Sequence, residues 1–216
     1  MIIAQRALRG LVIAIVAWSL SACATFREGT FQPPASWPIA TVPGKQSISL
    51  LISGEAFVNG QRISVPQEAM HQNAMLFWRE RIAKAYRDSG LFSDVQIGAA
   101  DTDLRAEIHV LSREQFSEGL IFLGVCTLTV FPTSDQHEFI ITTTLKDREL
   151  QSVGTFEKAE TETEWTQLFL IFIVPFRWAK SVTGELVYDL NRSVISQAYD
   201  AGVLKYAPLK EAVAEA

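Results

Sequence analysis

Leu104-Arg105-Ala106-Glu107-Ile108-His109-Val110 alternates apolar and polar side chains without a break. Successive side chains of a strand point to opposite faces, so this stretch specifies a strand with one face in a core and the other in water. The same period returns downstream at Phe139, Ile141, Thr143 and Leu145; Asp147-Arg148-Glu149 can then turn the chain into a last strand from Val153 to Glu162. Between these, Leu120 to Phe131 is almost continuously apolar, which predicts a central strand covered on both faces, with Cys126, Leu128 and Val130 on one side. Cys126 is then an inert buried thiol. Consecutive strands with short connections make an antiparallel meander.

A sheet wet on one face needs cover on the other, and the flanking segments supply it. Upstream, Met70, Ala74, Phe77, Trp78, Ile82, Ala85 and Tyr86 recur at three- and four-residue spacing, the stripe of an amphipathic helix. Pro66 suits its first turn, Gly90 the position past its end, and Lys84 and Arg87 its last turn. Before it, Ile48, Leu50 and Ile52 alternate as in a strand, and Asn59-Gly60 between apolar flanks signals a tight hairpin. Downstream, Leu186, Val187, Leu190, Val194, Ile195 and Ala198 form a second amphipathic helix, ended by Gly202. The expected class is α+β: a two-layer domain, mainly an antiparallel sheet of about four to six strands with two helices on one face.

The ends of the chain read differently. Arg6 and Arg9 precede the apolar run Leu11 to Leu20, and small Ser21 and Ala22 lead to Cys23, the order of a secretory signal. The run is short of the roughly 20 residues that a spanning helix needs. Leu20-Ser21-Ala22-Cys23 resembles the lipobox of bacterial lipoproteins. The resemblance implies cleavage before Cys23, acylation of its thiol and new amino group, and firm attachment, since two chains already anchor stably. In such lipoproteins an Asp after the Cys retains the protein at the inner membrane, so Ala24 implies the periplasmic face of the outer membrane. Residues 1–22 are thus a cleaved signal peptide, 23–45, with Pro33, Pro34, Pro38 and Pro43, a lipidated N-terminus and tether, 46–204 one domain, and 205–216 a flexible tail. Phe26, Phe31 and Trp37 make the tether less polar than a free linker, so part of it is expected on the domain.

Ser89-Gly90-Leu91-Phe92-Ser93-Asp94-Val95 followed by Ala100-Asp101-Thr102-Asp103-Leu104 resembles the helix-to-strand junction of small envelope lipoproteins: those of lipopolysaccharide assembly, the auxiliary lipoproteins of ABC transport, and the periplasmic domain of the curli-secretion lipoprotein. The likeness extends over roughly residues 45 to 200 in element order. It implies a non-catalytic accessory component of outer-membrane assembly or transport that binds an envelope protein or lipid. A subunit of an oligomeric secretion pore and an envelope hydrolase are the competing classes.

Composition narrows the field. The 216-residue chain carries 19 basic and 24 acidic residues, and losing Arg6 and Arg9 leaves 17 against 24 on 194 residues, about −7. Such a balance argues against nucleic acid, whose phosphates need clustered Lys and Arg. With Cys23 acylated, Cys126 is the single remaining thiol and no internal disulfide can form. No Gly-x-Ser-x-Gly elbow, phosphate loop or His-Glu-x-x-His helix is present, and no two of His71, His109 and His137 stand three or four residues apart as a ligand pair would. No catalytic, cofactor-binding or metal-binding residue is expected.

Two stretches remain. Glu160, Glu162 and Glu164 share one face of an extended chain, read as a solvated edge strand whose charge deters pairing, the alternative being a cation or basic partner. Leu168 to Phe176 is nine uninterrupted apolar residues between Trp165 and Trp178, with Arg177 and Lys180 beyond. Aromatic and cationic flanks anchor segments at a membrane interface. Trp165, Leu168, Phe169, Ile171, Phe172, Val174, Phe176 and Trp178 are therefore the expected contacts with membrane or an apolar partner, against the alternative of a core segment leading into the second helix.

Overall fold

The computed structural model describes residues 23–29, 34, 36–39, 44–63, 65–127, 130–167, 170 and 179–204. In chain order the elements are β1 (Cys23–Arg27), β2 (Gln46–Val58), β3 (Gln61–Arg62), α1 (Val65–Asp88), β4 (Phe92–Ile97), β5 (Leu104–Phe116), α2 (Glu118–Cys126), β6 (Thr133–Lys146), β7 (Ser152–Thr166) and α3 (Ala179–Asp200). The class is α+β. Its seven-stranded sheet runs β1-β7-β6-β5-β2-β3, with β4 beside the first half of β2.

The meander β5-β6-β7 is antiparallel throughout, whereas β2 pairs in parallel with both β5 and β4. The sheet is therefore more mixed, and larger, than the four to six strands expected. The parallel pairs follow from α1: 24 residues carry the chain roughly 36 Å back along the sheet, so the next strand starts at the end where β2 started. The Asn59-Gly60 turn has φ of 49° and 78°, as a tight two-residue hairpin requires. At Gly90, φ of 74° lets the chain leave α1 toward β4.

Helices α1 and α3 cover one face. Leu104, Ala106, Ile108 and Val110 of β5 and Phe139, Ile141 and Leu145 of β6 are buried there with Trp78, Ile82, Tyr86, Leu186, Leu190 and Ile195. Trp78 meets Phe139 edge to face, with ring centroids 5.5 Å apart. The other face is laced by polar pairs such as Lys146–Glu107 at 2.7 Å and Thr142–Glu157 at 3.0 Å.

The expected tether is partly built into the domain. Residues 23–27 form β1, antiparallel to β7, and Ala24 and Thr25 are fully buried. Trp37 packs against the core, and the Ile39 amide donates to the Ser89 carbonyl at 3.1 Å. The sheet edge that β7 would otherwise expose has main-chain donors and acceptors to satisfy, and residues 23–27 satisfy them. The expected signal segment 1–22 and the expected tail 205–216 lie outside the described residues.

Candidate functional site

Local sequence explains why the run from Leu120 is not a central strand. The Ser117 side chain accepts from the Leu120 amide at 3.5 Å, Glu118 occupies the first turn, and the Thr127 amide and hydroxyl both donate to the Leu123 carbonyl, at 3.0 and 2.8 Å. These caps close a nine-residue helix, α2, rather than a strand. Length separates the two in short apolar runs, because periodicity cannot. The sequence signal for a helix is Ser117-Glu118 ahead of the run and Thr127 within it.

Gly124 faces β6 and is the buried residue of α2. A Cβ there would lie 2.7 Å from Thr133 Cγ2, so the glycine is what lets the helix seat on the sheet end. Leu120, Ile121, Leu123, Phe122 and Val125 are 37–68% exposed. Val130 and Phe131 beyond the helix are exposed as well, and Cys126 is a free, exposed thiol rather than a buried one.

This apolar helix lies at the sheet end where β1 begins. In the register across the strands Cys23 pairs with Thr166, Thr166 with Thr133, and Thr133 abuts Gly124. Two strand spacings put the Cys23 backbone roughly 10 Å from the residue on which α2 rests. Trp165, beside Ala24 in the register, is 39% exposed at the same end. Of the twelve large apolar side chains exposed among the described residues, eight belong to α2, residues 130–131 and Trp165. The expected contact residues Leu168, Phe169, Ile171, Phe172, Val174, Phe176 and Trp178 lie outside the described residues. Ala24, the expected sorting residue, is fully buried.

The acidic stripe is not a solvated edge. Because β1 covers β7, Glu160 and Glu162 are buried beneath α3, at 2% and 3% exposure. Arg27 supplies the basic partner: its Nε and Nη2 donate to the two Glu160 carboxylate oxygens at 3.1 and 2.6 Å, and its Nη1 to Asp189 of α3 at 2.7 Å. Burial alone would lower the basicity of this guanidinium, but the hydrogen bonds and charges of Glu160 and Asp189 more than reverse that and keep it charged. Asp189 also accepts from Arg192 at 3.1 Å, and Arg192 stacks over the Trp37 ring. The network therefore ties β1, β7, α3 and the segment near Trp37 together.

Glu162 has a weaker arrangement. Its Oε1 accepts from the Thr183 hydroxyl at 2.5 Å, while Oε2 is buried without a partner. Burial pushes its pKa up to about 7, helped by the Glu164 and Glu160 charges and opposed by Thr183 and Arg27. Among the described residues no group of His, Cys, Asp and Glu is arranged to hold a metal ion, and no helix is long and apolar enough to cross a membrane. Two open depressions occur elsewhere. One of about 470 Å³ lies beside Leu50–Ser53, Arg79, Ile97 and Glu107, and one of about 420 Å³ between Ala99–Thr102, Arg105 and Asp147–Leu150.

The fold and this sheet end define an α+β domain with an exposed apolar helix at the end where β1 starts. No protein family description matches the sequence, and no curated protein matches it. Among solved structures it is similar to a minor lipoprotein from Acinetobacter baumannii, with a TM-score of 0.39 and 10% identity over 73% of this chain and 94% of that one. It is similar also to the PelC dodecamer from Paraburkholderia phytofirmans, with a TM-score of 0.34 and 10% identity over 86% and 99% of the two chains. A single-substitution variant of that PelC gives 0.31 and 11%, over 81% and 96%. At these values the likeness concerns overall arrangement and transfers no residue or role.

Proposed function

We propose that this chain is a lipid-anchored protein of the bacterial cell envelope, attached through Cys23 to the periplasmic face of the outer membrane. Its domain acts there as a non-catalytic accessory component that binds an envelope protein or lipid. The observation that carries the reading is the order charge, apolar run, small residues and Cys23, with the sheet starting at that same cysteine. A lipid on Cys23 would hold the β1 end of the sheet at the bilayer with almost no intervening chain.

Metabolic labelling with a fatty-acid analogue tests the anchor. Wild type takes up label and Cys23→Ser does not; equal labelling of the two refutes it. Membrane fractionation of the wild type tests the outer-membrane assignment. Ala24→Asp is a poor probe of sorting here, because it would place a carboxylate at a fully buried position of β1.

A further inference from the structure

We propose that α2 is a second membrane contact: it lies in the bilayer interface with its apolar side chains among the acyl chains, beside the lipid on Cys23. The proposal rests on the anchoring reading and adds the orientation of the domain. A surface helix ordinarily turns one apolar stripe inward and a polar face to water. On α2 this is inverted. Successive helix positions are about 100° apart, so Leu120, Ile121, Phe122, Leu123 and Val125 point around nearly the whole circumference, and all are exposed. A protein groove would cover one side of such a helix. A fluid apolar phase covers the rest, which is why lipid rather than a protein partner is the occupant.

Position and size agree. The helix seats on Thr133, whose row across the sheet ends at Cys23, so an anchored Cys23 keeps α2 within roughly 10 Å of the lipid attachment. Nine residues span about 13 Å, against about 30 Å of hydrocarbon, so the helix rests in one leaflet and does not cross. Interfacial helices bury their apolar side about 5–10 Å deep, a depth that exposed side chains of α2 can reach. The helix carries no Lys or Arg and one carboxylate, Glu118, in its first turn, where the helix dipole tolerates it. Insertion is therefore driven by apolar area and is insensitive to anionic lipid and salt.

Cys126 provides the test, since it is exposed at the end of α2. The full-length protein is extracted from membranes, its acylation read by intact mass, Cys126 labelled with a polarity-sensitive dye, and the product reconstituted in zwitterionic phosphatidylcholine vesicles with or without brominated acyl chains. The expected result is a blue-shifted emission quenched at least twofold by brominated lipid, unchanged by adding anionic lipid, and largely lost in Phe122→Ser/Val125→Ser. A dye on Cys126→Ser/Glu149→Cys, at the opposite sheet end, stays unquenched. Acylated protein whose Cys126 dye reports water overturns the α2 contact and leaves the anchor standing. A blue-shifted but unquenched dye overturns it too, since protein then covers α2. A mass without acyl chains refutes the anchor, and the α2 contact with it.

Discussion

The two ends of the sheet are built from the same meander yet finish in opposite ways. At the β6–β7 turn the chain satisfies itself: the Gln151 amide donates to Asp147 Oδ1 at 2.8 Å, Arg148 pairs with Asp101 at 3.2 Å, and Asp103 accepts from the Ser47 amide and hydroxyl. Its exposed Leu150 and Val153 are scattered singly, as on any soluble surface. At the other end α2 is also internally satisfied at its caps, but its large apolar side chains are exposed. Each large apolar side chain kept in water forgoes about 1.5–3 kcal/mol of burial. A concentration of them at one end, next to the start of β1, is the kind of apolar patch that marks an interaction site.

The largest effect that could break this contrast is at Cys23. In Cys23→Ser the protein should lose all fatty-acid label and leave the membrane fraction, while wild type stays bound. Persistence of the variant on membranes through carbonate washing would show that the apolar end alone suffices as anchor.

The next is Arg27, which connects that end to the body of the domain. Arg27→Ala leaves Glu160 buried and uncompensated and should cost about 3 kcal/mol, within the range for breaking buried pairs. Thermal melts should fall by roughly 6–12 °C. A melt unchanged within 2 °C would mean that β1 is dispensable to the fold.

Glu162 gives a smaller, pH-dependent effect. Its folded pKa of about 7 lies above the ordinary 4.5, so the folded state holds a proton that the unfolded chain releases. Stability from this group is full below about pH 4.5, declines as pH rises, and is lost above about pH 7. Glu162→Gln should therefore stabilise the domain by roughly 2–3 kcal/mol at pH 8 and by little at pH 4. Denaturant midpoints at the two pH values measure it; an equal gain at both would place the cause outside titration.

The smallest effects sharpen the comparison itself. Phe122→Ser at the apolar end and Arg148→Ala at the polar end should each change stability by less than about 0.5 kcal/mol, as exposed positions do. They should differ in vesicle contact alone, where Phe122→Ser weakens it and Arg148→Ala does not. A melting loss of several degrees in Phe122→Ser would make α2 part of the core.

Short-range pattern made much of this fold legible. The alternations at Leu104–Val110 and Phe139–Leu145, the stripe from Met70 to Tyr86 and the Asn59-Gly60 turn all correspond to observed elements, because each is specified by neighbours a few residues apart. The candidate site was harder. The expected contact segment Leu168–Phe176 lies almost wholly outside the described residues; the exposed apolar surface described is that of α2, whose run reads as a buried strand because composition alone does not say which apolar run has a place in the core. The Glu160–Glu162 stripe was misread for a related reason: its partner, Arg27, is 133 residues away.

The sequence by itself determined the order of charge, apolar run and small residues ahead of Cys23, the two cysteines, the amphipathic helices and the period-two strands, all properties of local order and side-chain chemistry. Tertiary structure alone decided that β1 closes the β7 edge, that β2 runs parallel to β4 and β5, that Glu160 is buried on Arg27 and Glu162 against Thr183, and that the Leu120–Val125 side chains are exposed. The physical reason is that burial is a competition. A sheet face offers a fixed area, α1 and α3 pack on it, and among the described residues the apolar side chains of α2, at the end of the sheet, stay outside that core.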